Sequence, residues 1–498
     1  MPKSECFEVL RPVLVHAVDL LRDKRERVVS THSSLHAQDK PSALCGLPNT
    51  ETDTIAAKSR VKVFAAHRDR KSPYPMINVT EASNCVLGNV ATLGTTKIDV
   101  SESFGLVLAS DVCSPENHPS FPASIKDGYA VIASDGVGER KVITVANAGK
   151  TYDKLELQSG ECIRISTGAP VPNGADAVVQ VEDTALIEEK DGEEVMISIN
   201  VVPKLNQDIR PVGSDISRNQ IILEKFTQIG SIQYGILVSC GVRTVEVFLR
   251  PKVAIASTGN ELVDGEVSIS GKLEFGKIRD SNRPMLKRLL GEHNFNCVDF
   301  GIVADDPDKV FCAFQRALAD HDVLITSGGV SMGEKDLLKQ VLMADLGFKI
   351  HFARVFMKPG KPTTFATGLV NGKLKYVFAL PGNPVSAWVT SQLYVLPALR
   401  KMSGVDKFEN TRIRVQLAND CSLDPRPEYH RAVLDTSPHE GQVPLAISCD
   451  TNQISSRLLN TSGANLLIIL PSTQDPSVDG KSYLAKGTVV DALVVDRI

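Results

Sequence analysis

The sequence predicts a multidomain protein of α/β plus β class, in which a central doubly wound α/β domain is flanked by small β-rich domains. The chain of 498 residues is longer than one hydrophobic core normally supports, so several domains are expected. Between residues 251 and 403, short apolar strands alternate with helical patterns, which is typical of a parallel sheet covered by helices. Before and after this stretch, short strands alternate with turn signals, which favours small β domains.

Composition excludes several classes of protein. The chain is 42% apolar and 23% charged, as is ordinary for a globular protein, and its net charge of -4 gives no argument for nucleic-acid binding. Its ten cysteines are scattered without a Cys-x-x-Cys pair, so free thiols in a cytoplasmic protein are expected rather than a zinc site or a disulfide framework. The sequence has no signal-peptide pattern and no apolar run long enough to span a membrane.

The first 71 residues are predicted to contribute nothing to the globular core. Residues 6–24 place their apolar side chains on one side of a helix. Residues 31–71 are polar and lack periodicity, which predicts a disordered linker. The basic run from His67 to Lys71 is interpreted as the solvated end of this linker.

From residue 72 onward, the pattern divides into four globular parts. These are subdomain I (72–116 and 208–250, mixed α/β), subdomain II (117–207, β-rich), subdomain III (251–403, α/β) and subdomain IV (404–498, β). In subdomain I, helices are predicted at VTEASNCVLGNV and in the stretch that ends at Cys240. In subdomain II, FPASIKDGYAVIASD has extended character, and short alternating strands follow it.

Subdomain III is predicted to contain four buried strands separated by helices. The strands are VAIAS, VDFGIV, VLITS and YVFAL, and the helical segments are PMLKRLLGEHN, DPDKVFCAFQRALADH, DLLKQVLMADLG and PVSAWVTSQLYVLPALRKM. The second helical segment shows the pattern most clearly, because its apolar residues form a single face.

A polar loop follows each of the four predicted strands. The loops are Thr258-Gly259-Asn260-Glu261, Asp305-Asp306-Pro307, the stretch from Ser327 through Gly328 and Gly329 to Asp336, and Pro381-Gly382-Asn383-Pro384. Because ligands of such sheets bind beyond the carboxyl ends of the strands, we expect these loops to form one site. Three of them carry acids, which predicts a divalent cation with oxygen ligands such as Mg²⁺. The alternative for Asp305 and Asp306 is helix capping before Pro307.

The third loop carries the strongest signal, because it joins a buried strand to a helix through two glycines. Gly328 and Gly329 can adopt a positive φ and allow a ligand to approach the backbone, and Ser331 supplies a helix cap. Asp336 stands where an anion would bind, and an anion beside a carboxylate usually needs a metal between the two. The alternative is a structural strand-to-helix loop in which Asp336 only caps the helix.

A cationic segment, HFARVFMKPGKPTTF, contributes Arg354, Lys358 and Lys361. Isolated lysines are usually solvated. Two lysines on a turn stiffened by prolines, beside an acid-lined anion loop, favour oxyanion binding instead. Acids, a cation and lysines together suggest chemistry on a phosphate or a similar oxyanion.

Six stretches together resemble the molybdopterin molybdotransferase family, which comprises bacterial MoeA and the C-terminal E domain of eukaryotic gephyrin. The stretches are FPASIKDGYAV, ISTGAPVPNGADAVVQVEDT, GKIRDSNR, TSGGVSMGEKD, FMKPGKPTTFAT and ALPGNPVSA, and LDPRPEYHR and NQISSRL extend the resemblance to the C-terminal part. The resemblance is closer to gephyrin than to bacterial MoeA. It implies a MogA-like subdomain III and an elongated homodimer in which the partner's other domains complete the site.

The resemblance also implies an activity, the insertion of molybdate into adenylylated molybdopterin with Mg²⁺ and release of AMP. The implied catalytic residues are Asp127, Asp215, Glu261, Asp305, Asp336 and Lys358, of which Glu261, Asp305 and Asp336 are the expected metal ligands. The implied substrate-binding residues are Ser327, Gly328, Gly329, Ser331, Arg354, Lys361, Pro381, Gly382, Asn383, Arg431, Ser455 and Ser456. Asp127, Asp215 and Arg431 rest on the resemblance alone.

The N-terminal helix resembles the closing helix of the gephyrin G domain, which is the molybdopterin adenylyltransferase. Residues 1–30 are therefore expected to be the remnant of a G domain that is otherwise missing. The adenylylation step is expected to lie outside this chain's activity.

A second function class comes with the gephyrin resemblance, the clustering of inhibitory glycine and GABA-A receptors at synapses. Tyr429 and Pro471 match part of the receptor pocket, whereas Ser83 replaces the phenylalanine that anchors the receptor loop and Glu409 replaces a basic residue. Losing a buried aromatic anchor costs about 2 to 4 kcal/mol of binding, so receptor binding is expected to be weakened. Scaffolding at the postsynaptic membrane is thus the alternative to a cytoplasmic transferase. A generic nucleotide-binding α/β domain does not explain the flanking β domains.

Overall fold

The computed structural model describes residues 58–61, 74–146, 149, 156–265, 272–330, 337–435, 443–450 and 452–496. The predicted N-terminal helix, most of the predicted linker, Ser331 and Asp336 lie outside these residues. In the described part of the chain, no helix is both long enough and apolar enough to cross a membrane.

Four described residues, 58–61, fall within the predicted linker. The backbone N–H of Ser59 donates to Asp308 at 2.6 Å, and its hydroxyl donates to Asp345 at 2.5 Å. Val61 packs against a hydrophobic cluster of the α/β part. This short segment therefore lies against the α/β part instead of extending into solvent.

Residues 74–250 contain two helices and a series of short strands. The helices are α1 (Val79–Asn89) and α2 (Ser231–Ser239). The strands are β1 (Thr95–Asp99), β2 (Val112–Cys113), β3 (Ala123–Ser124), β4 (Gly128–Val131), β5 (Gly138–Ala146), β6 (Glu161–Ile165), β7 (Ala177–Gln180), β8 (Thr184–Lys190), β9 (Glu193–Ile199), β10 (Ile209–Arg210), β11 (Ile221–Leu223) and β12 (Thr244–Phe248). Strands β4 to β9 form a six-stranded sheet in the order β7-β4-β6-β5-β9-β8, while β1 pairs with β12, β2 with β11 and β3 with β10.

Helix α1 begins with a capping box, in which Asn78 accepts the N–H of Glu81 and Glu81 accepts the N–H of Asn78. Its buried side chains, Ala82 and Val86, belong to the same hydrophobic cluster as the α/β sheet. Although residues 72–116 are predicted to form one unit with 208–250, this helix packs on the α/β part, because its short apolar face is buried there.

Residues 251–403 form a six-stranded sheet with helices on both faces. The strands are β13 (Val253–Thr258), β14 (Leu262–Asp264), β15 (Ile278–Asp280), β16 (Cys297–Val303), β17 (Val323–Ser327), β18 (Lys349–Phe352), β19 (Thr364–Val370) and β20 (Lys373–Leu380). The helices are α3 (Asn282–Glu292), α4 (Pro307–Asp320), α5 (Leu337–Gln340), α6 (Pro384–Thr390) and α7 (Leu396–Met402), and π-helical turns at Val341–Asp345 and Ser391–Val395 extend α5 and join α6 to α7. The sheet order is β16-β13-β17-β20-β19-β18, while β14 and β15 pair separately.

The four predicted strands of this sheet are confirmed and run parallel to one another. The strands β19 and β18, which follow β20 toward one edge of the sheet, pair in antiparallel fashion and were not predicted. Their signal is a two-residue hairpin turn between β19 and β20, Asn371-Gly372, where both residues have a positive φ of 52° and 72°. Asn-Gly is a strong hairpin signal. The two strands were not expected because the preceding stretch was interpreted as a cationic turn.

Residues 404–496 form a closed five-stranded barrel in the order β21-β24-β23-β25-β27. The strands of this part are β21 (Arg412–Leu417), β22 (Cys421–Ser422), β23 (Glu428–Asp435), β24 (Leu445–Ser448), β25 (Leu466–Leu470), β26 (Tyr483–Leu484) and β27 (Val489–Val494). Tyr429, Leu467 and Leu493 of the barrel belong to the hydrophobic cluster on the face of the sheet that α3, α6 and α7 cover. The barrel is therefore docked beside the carboxyl end of β20.

Candidate functional site

The loops at the carboxyl ends of β13 and β17 lie in direct contact. Gly328 and Gly329 have positive φ values of 87° and 68°. A Cβ atom at Gly328 would collide with the carbonyl oxygen of Thr258, and one at Gly329 would come within 2.5 Å of the Thr258 hydroxyl oxygen. Glycine is thus required at both positions by conformation and by close approach. The Gly328 N–H donates to the Leu380 carbonyl at 3.2 Å, whereas the Gly329 N–H has no acceptor among the described residues.

Asn282, the first residue of α3, ties the β17 loop to the β20 loop. Its Nδ2 donates to the Ser327 hydroxyl at 2.6 Å and to the Gly382 carbonyl at 2.7 Å. The side chain is buried, and its Oδ1 has no partner in the described part of the chain. No local sequence pattern singles out Asn282. It lies in the stretch GKIRDSNR, which carried part of the resemblance without indicating which side chain mattered.

Two of the predicted acids meet at Asn260. The Asn260 N–H donates to Asp305 Oδ2 at 3.4 Å, and the Asp305 N–H donates to Asn260 Oδ1 at 3.1 Å. The Glu261 carboxylate folds back onto Gly259. Asp306 caps α4 by accepting the Lys309 N–H, so Asp305 is not the capping residue. Within the described ranges, no ion pair neutralises Glu261 or Asp305.

Carboxylate oxygens of this kind are ligands that Mg²⁺ accepts. The third predicted ligand, Asp336, lies outside the described residues, and these contain no group of three or more His, Cys, Asp or Glu side chains that could hold a metal. Glu261 and Asp305 thus fit a hard cation in donor chemistry, and hydrogen bonds between Asn260 and Asp305 join the two loops that carry them.

Two lysines of the cationic turn, Lys358 and Lys361, look equivalent in sequence but differ in their contacts. Lys358 Nζ lies 3.0 Å from Glu428 Oε2 and 3.5 Å from Asp424 Oδ2, so its charge is paired with the barrel. Its backbone continues the contact, because the Lys358 carbonyl accepts the Tyr429 N–H at 2.8 Å. By contrast, the Lys361 ammonium has no hydrogen bond or ion pair to any described residue. Lys361 is therefore the lysine whose charge is available to an anion.

Burial would by itself raise the pKa of Asp424, but hydrogen bonds from Arg426 and the charges of Arg426 and Lys358 lower this pKa below its usual value. Asp424 therefore stays ionised beside Lys358. The pair of carboxylates, Asp424 and Glu428, accounts for the fixed position of the Lys358 ammonium.

Arg431, on the barrel strand β23, is fully buried. Its Nη2 donates weakly to the Ile454 carbonyl at 3.5 Å, whereas Nε and Nη1 are buried without any partner among the described atoms. Burial lowers the pKa of Arg431, and the Glu428 carboxylate only partly offsets this effect. Buried donors without acceptors are costly, so this guanidinium is suited to an anionic ligand. Arg354 Nε, near the start of the cationic turn, is also buried without a partner.

The β20 loop reaches the barrel near Arg431. Asn383 Nδ2 donates to the Ser455 hydroxyl at 2.9 Å, and the Val385 N–H donates to the Ser455 carbonyl at 3.1 Å. Ser455 follows Ile454, the residue that accepts from Arg431, and Ser456 is exposed beside it. The Pro381 carbonyl accepts the Ser327 hydroxyl at 3.5 Å, which completes a continuous path from the glycine loop to the barrel.

Asp127 and Asp215 lie elsewhere. Asp127 Oδ1 accepts the Thr167 N–H at 2.8 Å beside the six-stranded sheet, and Asp215 forms an ion pair with Arg210. Among the described residues, no hydrogen bond or ion pair connects either aspartate to the α/β loops. Within one chain, these two predicted residues are therefore not brought to the site.

The positions that match the receptor pocket do not form an exposed apolar pocket. Ser83 lies on α1 and Glu409 is exposed, while Pro471 is half-buried. Tyr429 is only 6% exposed, and its burial raises its pKa to about 12. Its ring belongs to the hydrophobic core.

Comparison with protein families gives two matches along the chain. Residues 77–241 match the MoeA N-terminal region (domain I and II), and residues 254–401 match a probable molybdopterin binding domain. Together they span the six-stranded sheet region and the α/β sheet with its loops.

Three curated proteins illustrate the sequence similarity. The molybdenum cofactor synthesis protein cinnamon of Drosophila melanogaster is 40% identical over 94% of this chain and 72% of its own length. Gephyrin of Dictyostelium discoideum is 36% identical over 86% of this chain, which spans 64% of that protein's length. Molybdopterin molybdenumtransferase of Haemophilus influenzae is 36% identical over 63% of this chain and 74% of its own length.

Among solved structures, the molybdopterin biosynthesis MoeA protein of Pyrococcus horikoshii superposes with a TM-score of 0.68 at 27% identity. The alignment covers 85% of this chain and 100% of that chain. The predicted α/β plus β fold class is confirmed by this likeness and by the observed sheets and barrel.

Proposed function

The chain belongs to the molybdopterin molybdenumtransferase family of molybdenum cofactor biosynthesis, and from this premise we propose that it inserts molybdate into adenylylated molybdopterin in an Mg²⁺-dependent reaction that releases AMP. The observation that carries the proposal is Arg431, a fully buried guanidinium with two nitrogens that have no acceptor in the part of the chain that the structure describes. A tetrahedral dianion such as molybdate supplies the acceptors and charge that this group lacks.

Lys361 supplies the second cationic contact to molybdate. Its ammonium has no partner among the described residues, whereas Lys358 is paired with Glu428. Lys358 therefore has a positioning role, because its ion pair with Glu428 holds the cationic turn against the barrel strand that carries Arg431. Asn383 and Ser455 hold the β20 loop against the same strand.

The phosphates of adenylylated molybdopterin are assigned to the glycine loop. Gly329 offers a backbone N–H at the carboxyl end of β17, where anions bind in sheets of this kind. Asn282 positions this loop through Ser327 and Gly382. A larger side chain at Gly328 or Gly329 would push the loop off Thr258.

Glu261 and Asp305 would hold Mg²⁺, with Asp336 as the proposed third ligand. When bound, the ion would neutralise charge that develops on the phosphates as AMP leaves. Glu261 lies on the loop after β13, to which Asp305 is bonded through Asn260, and the same loop contacts the glycine loop that is assigned to the phosphates.

The acids Asp127 and Asp215 lead to a proposal about assembly. Neither is bonded to the α/β loops within one chain, so we assign them to the site of a second copy in a homodimer. Mixing inactive Asp127→Asn chains with inactive Lys361→Gln chains should then restore activity, because the mixed dimer contains one intact site. No recovery after co-refolding would refute the shared site.

The proposed reaction is tested by single-turnover AMP release from adenylylated molybdopterin with molybdate. Arg431→Met and Lys361→Gln should each slow release by about a hundredfold or more, the typical cost of removing one donor to a charged transition state. Arg243→Gln and Lys97→Gln remove the same charges from exposed positions and should leave the rate unchanged. Normal release by both site variants would overturn the proposal.

No structural observation favours receptor clustering as the function of this chain. Ser83 offers no aromatic anchor, and Tyr429 is part of the core. A receptor loop peptide should bind weakly or not at all in calorimetry, and Ser83→Phe should strengthen binding. Tight binding by the unmodified chain would restore the alternative.

A further inference from the structure

A cavity opens where three parts of the chain meet. It lies between the end of β12, the ends of α3 and α7, and the beginning and end of the barrel, and its volume is about 370 Å³. An adjoining cavity of about 470 Å³ shares His293 and Arg400 with it. Sites for small organic molecules typically have volumes of about 300 to 1,000 Å³. None of the residues assigned to the candidate functional site lines either cavity.

Two arginines that line this cavity lack a counter-charge. Arg250 Nη2 donates to the Gly105 carbonyl at 2.5 Å. Arg400 Nη1 donates to the Asn410 side chain at 2.8 Å and to the Phe408 carbonyl at 3.3 Å. Within the described ranges, neither arginine forms an ion pair with a carboxylate. A guanidinium has five N–H donors, so these bonds to neutral groups leave several donors for another molecule.

Both arginines are partly buried, and the histidine beside Arg400 is neutral. Burial lowers the pKa of both Arg250 and Arg400, which indicates that each charge is partly removed from water. His293 lies 3.5 Å from Arg400 and is neutral at pH 7, because burial and the charge of Arg400 lower its pKa to about 4. Two desolvated cations in one cavity favour an anion there.

The remaining charged groups line the same cavity or the adjoining one. Glu292, Glu409 and Lys407 are exposed, and Asp496 lines the adjoining cavity. Their opposite signs partly cancel and they stay hydrated. Most of the cavity lining is polar, and its smaller apolar part, here called the apolar wall, includes Leu106, Phe248 and Val494.

We propose that this cavity binds a small organic phosphate, whose phosphate group is held by Arg250 and Arg400 and whose carbon skeleton packs on the apolar wall. Phosphate fits better than a monocarboxylate because a dianion can balance two guanidinium charges, and guanidinium groups bind phosphate through paired hydrogen bonds. The three parts of the chain that form the cavity would be held together by the ligand.

The test is calorimetric titration of the full chain with inorganic phosphate and with glycerol phosphate at constant ionic strength. The titrations use the Lys361→Gln variant as background, so that binding at the candidate functional site is weakened. Saturable binding is expected, and it should weaken at least tenfold in Arg250→Gln. Glycerol phosphate should bind more tightly than inorganic phosphate because of the apolar wall.

Arg243→Gln is the matched control, since it removes an exposed arginine near the end of the same region and should leave binding unchanged. Arg400→Gln is a second test, accompanied by a melting curve because this residue also holds the loop at Phe408. Undiminished binding in Arg250→Gln, or no saturable binding in the Lys361→Gln background, would overturn the proposal. Equal affinity for the two phosphates would overturn its organic part.

Discussion

Two buried arginines, Arg283 and Arg431, show how similar burial can serve different ends. Arg283, on α3, is 3% exposed and contacts Asp280 at 3.0 Å, Asp264 at 2.8 Å and Asp299 at 2.5 Å. Arg431, on the barrel strand β23, is 0% exposed and has one weak bond to a backbone carbonyl. The first guanidinium is satisfied by the protein, whereas two nitrogens of the second have no acceptor among the described residues.

The directions of the two pKa shifts reflect this difference. Burial alone would lower the pKa of Arg283, but hydrogen bonds to Asp280 and Asp299 and the charges of these aspartates raise it. For Arg431 burial prevails, and the pKa is lowered. An arginine that is paired with carboxylates therefore supports the fold, whereas an arginine without such a pair is suited to binding an anion.

The largest effect is expected for Arg283→Met. This change removes the cation that three aspartates share, although Asp299 keeps Lys287 at 3.5 Å, and should reduce the free energy of unfolding by about 3 to 5 kcal/mol. Urea denaturation measures the loss, with Arg243→Met as the exposed control, which should change stability by less than about 0.5 kcal/mol. A loss below 1 kcal/mol in Arg283→Met would contradict the conclusion that Arg283, unlike Arg431, stabilises the fold.

Arg431→Met should give the opposite pattern. Because the residue forms no ion pair with any described carboxylate, the free energy of unfolding should change by no more than about 1 kcal/mol. AMP release should nevertheless fall by about a hundredfold to a thousandfold, which corresponds to about 3 to 4 kcal/mol in the barrier. A melting curve and single-turnover kinetics on one preparation separate the two effects. Strong destabilisation together with normal kinetics in the surviving fraction would contradict the assignment.

Asp305→Asn extends the comparison to a carboxylate that forms no ion pair with a described residue. The substitution keeps the hydrogen bond from the backbone N–H of residue 305 to the Asn260 side chain. It removes a negative charge that no described cationic side chain neutralises. The Mg²⁺ concentration needed for half-maximal AMP release should rise by about tenfold to a hundredfold, while stability stays within about 1 kcal/mol. Asp306→Asn is the matched control, because this neighbour caps α4, and its Mg²⁺ requirement should not change. An equal rise in both variants would indicate a general charge effect.

The smallest effect concerns His293, which lies beside the unpaired Arg400. Burial and the Arg400 charge lower its pKa to about 4, against about 6.5 in the unfolded chain. Since the unfolded chain binds the proton more readily between these values, stability should fall as the pH drops from 6.5 to 4. The contribution should be no more than about 1 kcal/mol, because the side chain is partly exposed and screened by solvent.

His293→Gln should make the unfolding free energy less dependent on pH in this window. Urea denaturation at several pH values between 4 and 7 checks this, and His321→Gln serves as a control on a different helix end. An unchanged pH profile in His293→Gln would mean that its proton equilibrium is not altered by folding.

The sequence alone determined the features that depend on neighbours along the chain. The four parallel strands follow from apolar runs bounded by polar loops, and the helix between Pro307 and Asp320 follows from its apolar face and proline start. The glycine loop and the loop acids Glu261 and Asp305 were found in the same way. Family resemblance added Arg431, for which the local pattern gave no signal.

The tertiary structure decided how these groups are paired. Lys358 and Lys361 are three residues apart and look alike in sequence, yet Glu428, seventy residues from Lys358, neutralises only Lys358. Arg431 differs from Arg283 for the same reason, because the aspartates around Arg283 come from separate strands. Charge pairing is a property of distances between atoms, and these distances are fixed only when the barrel and the α/β sheet have packed together.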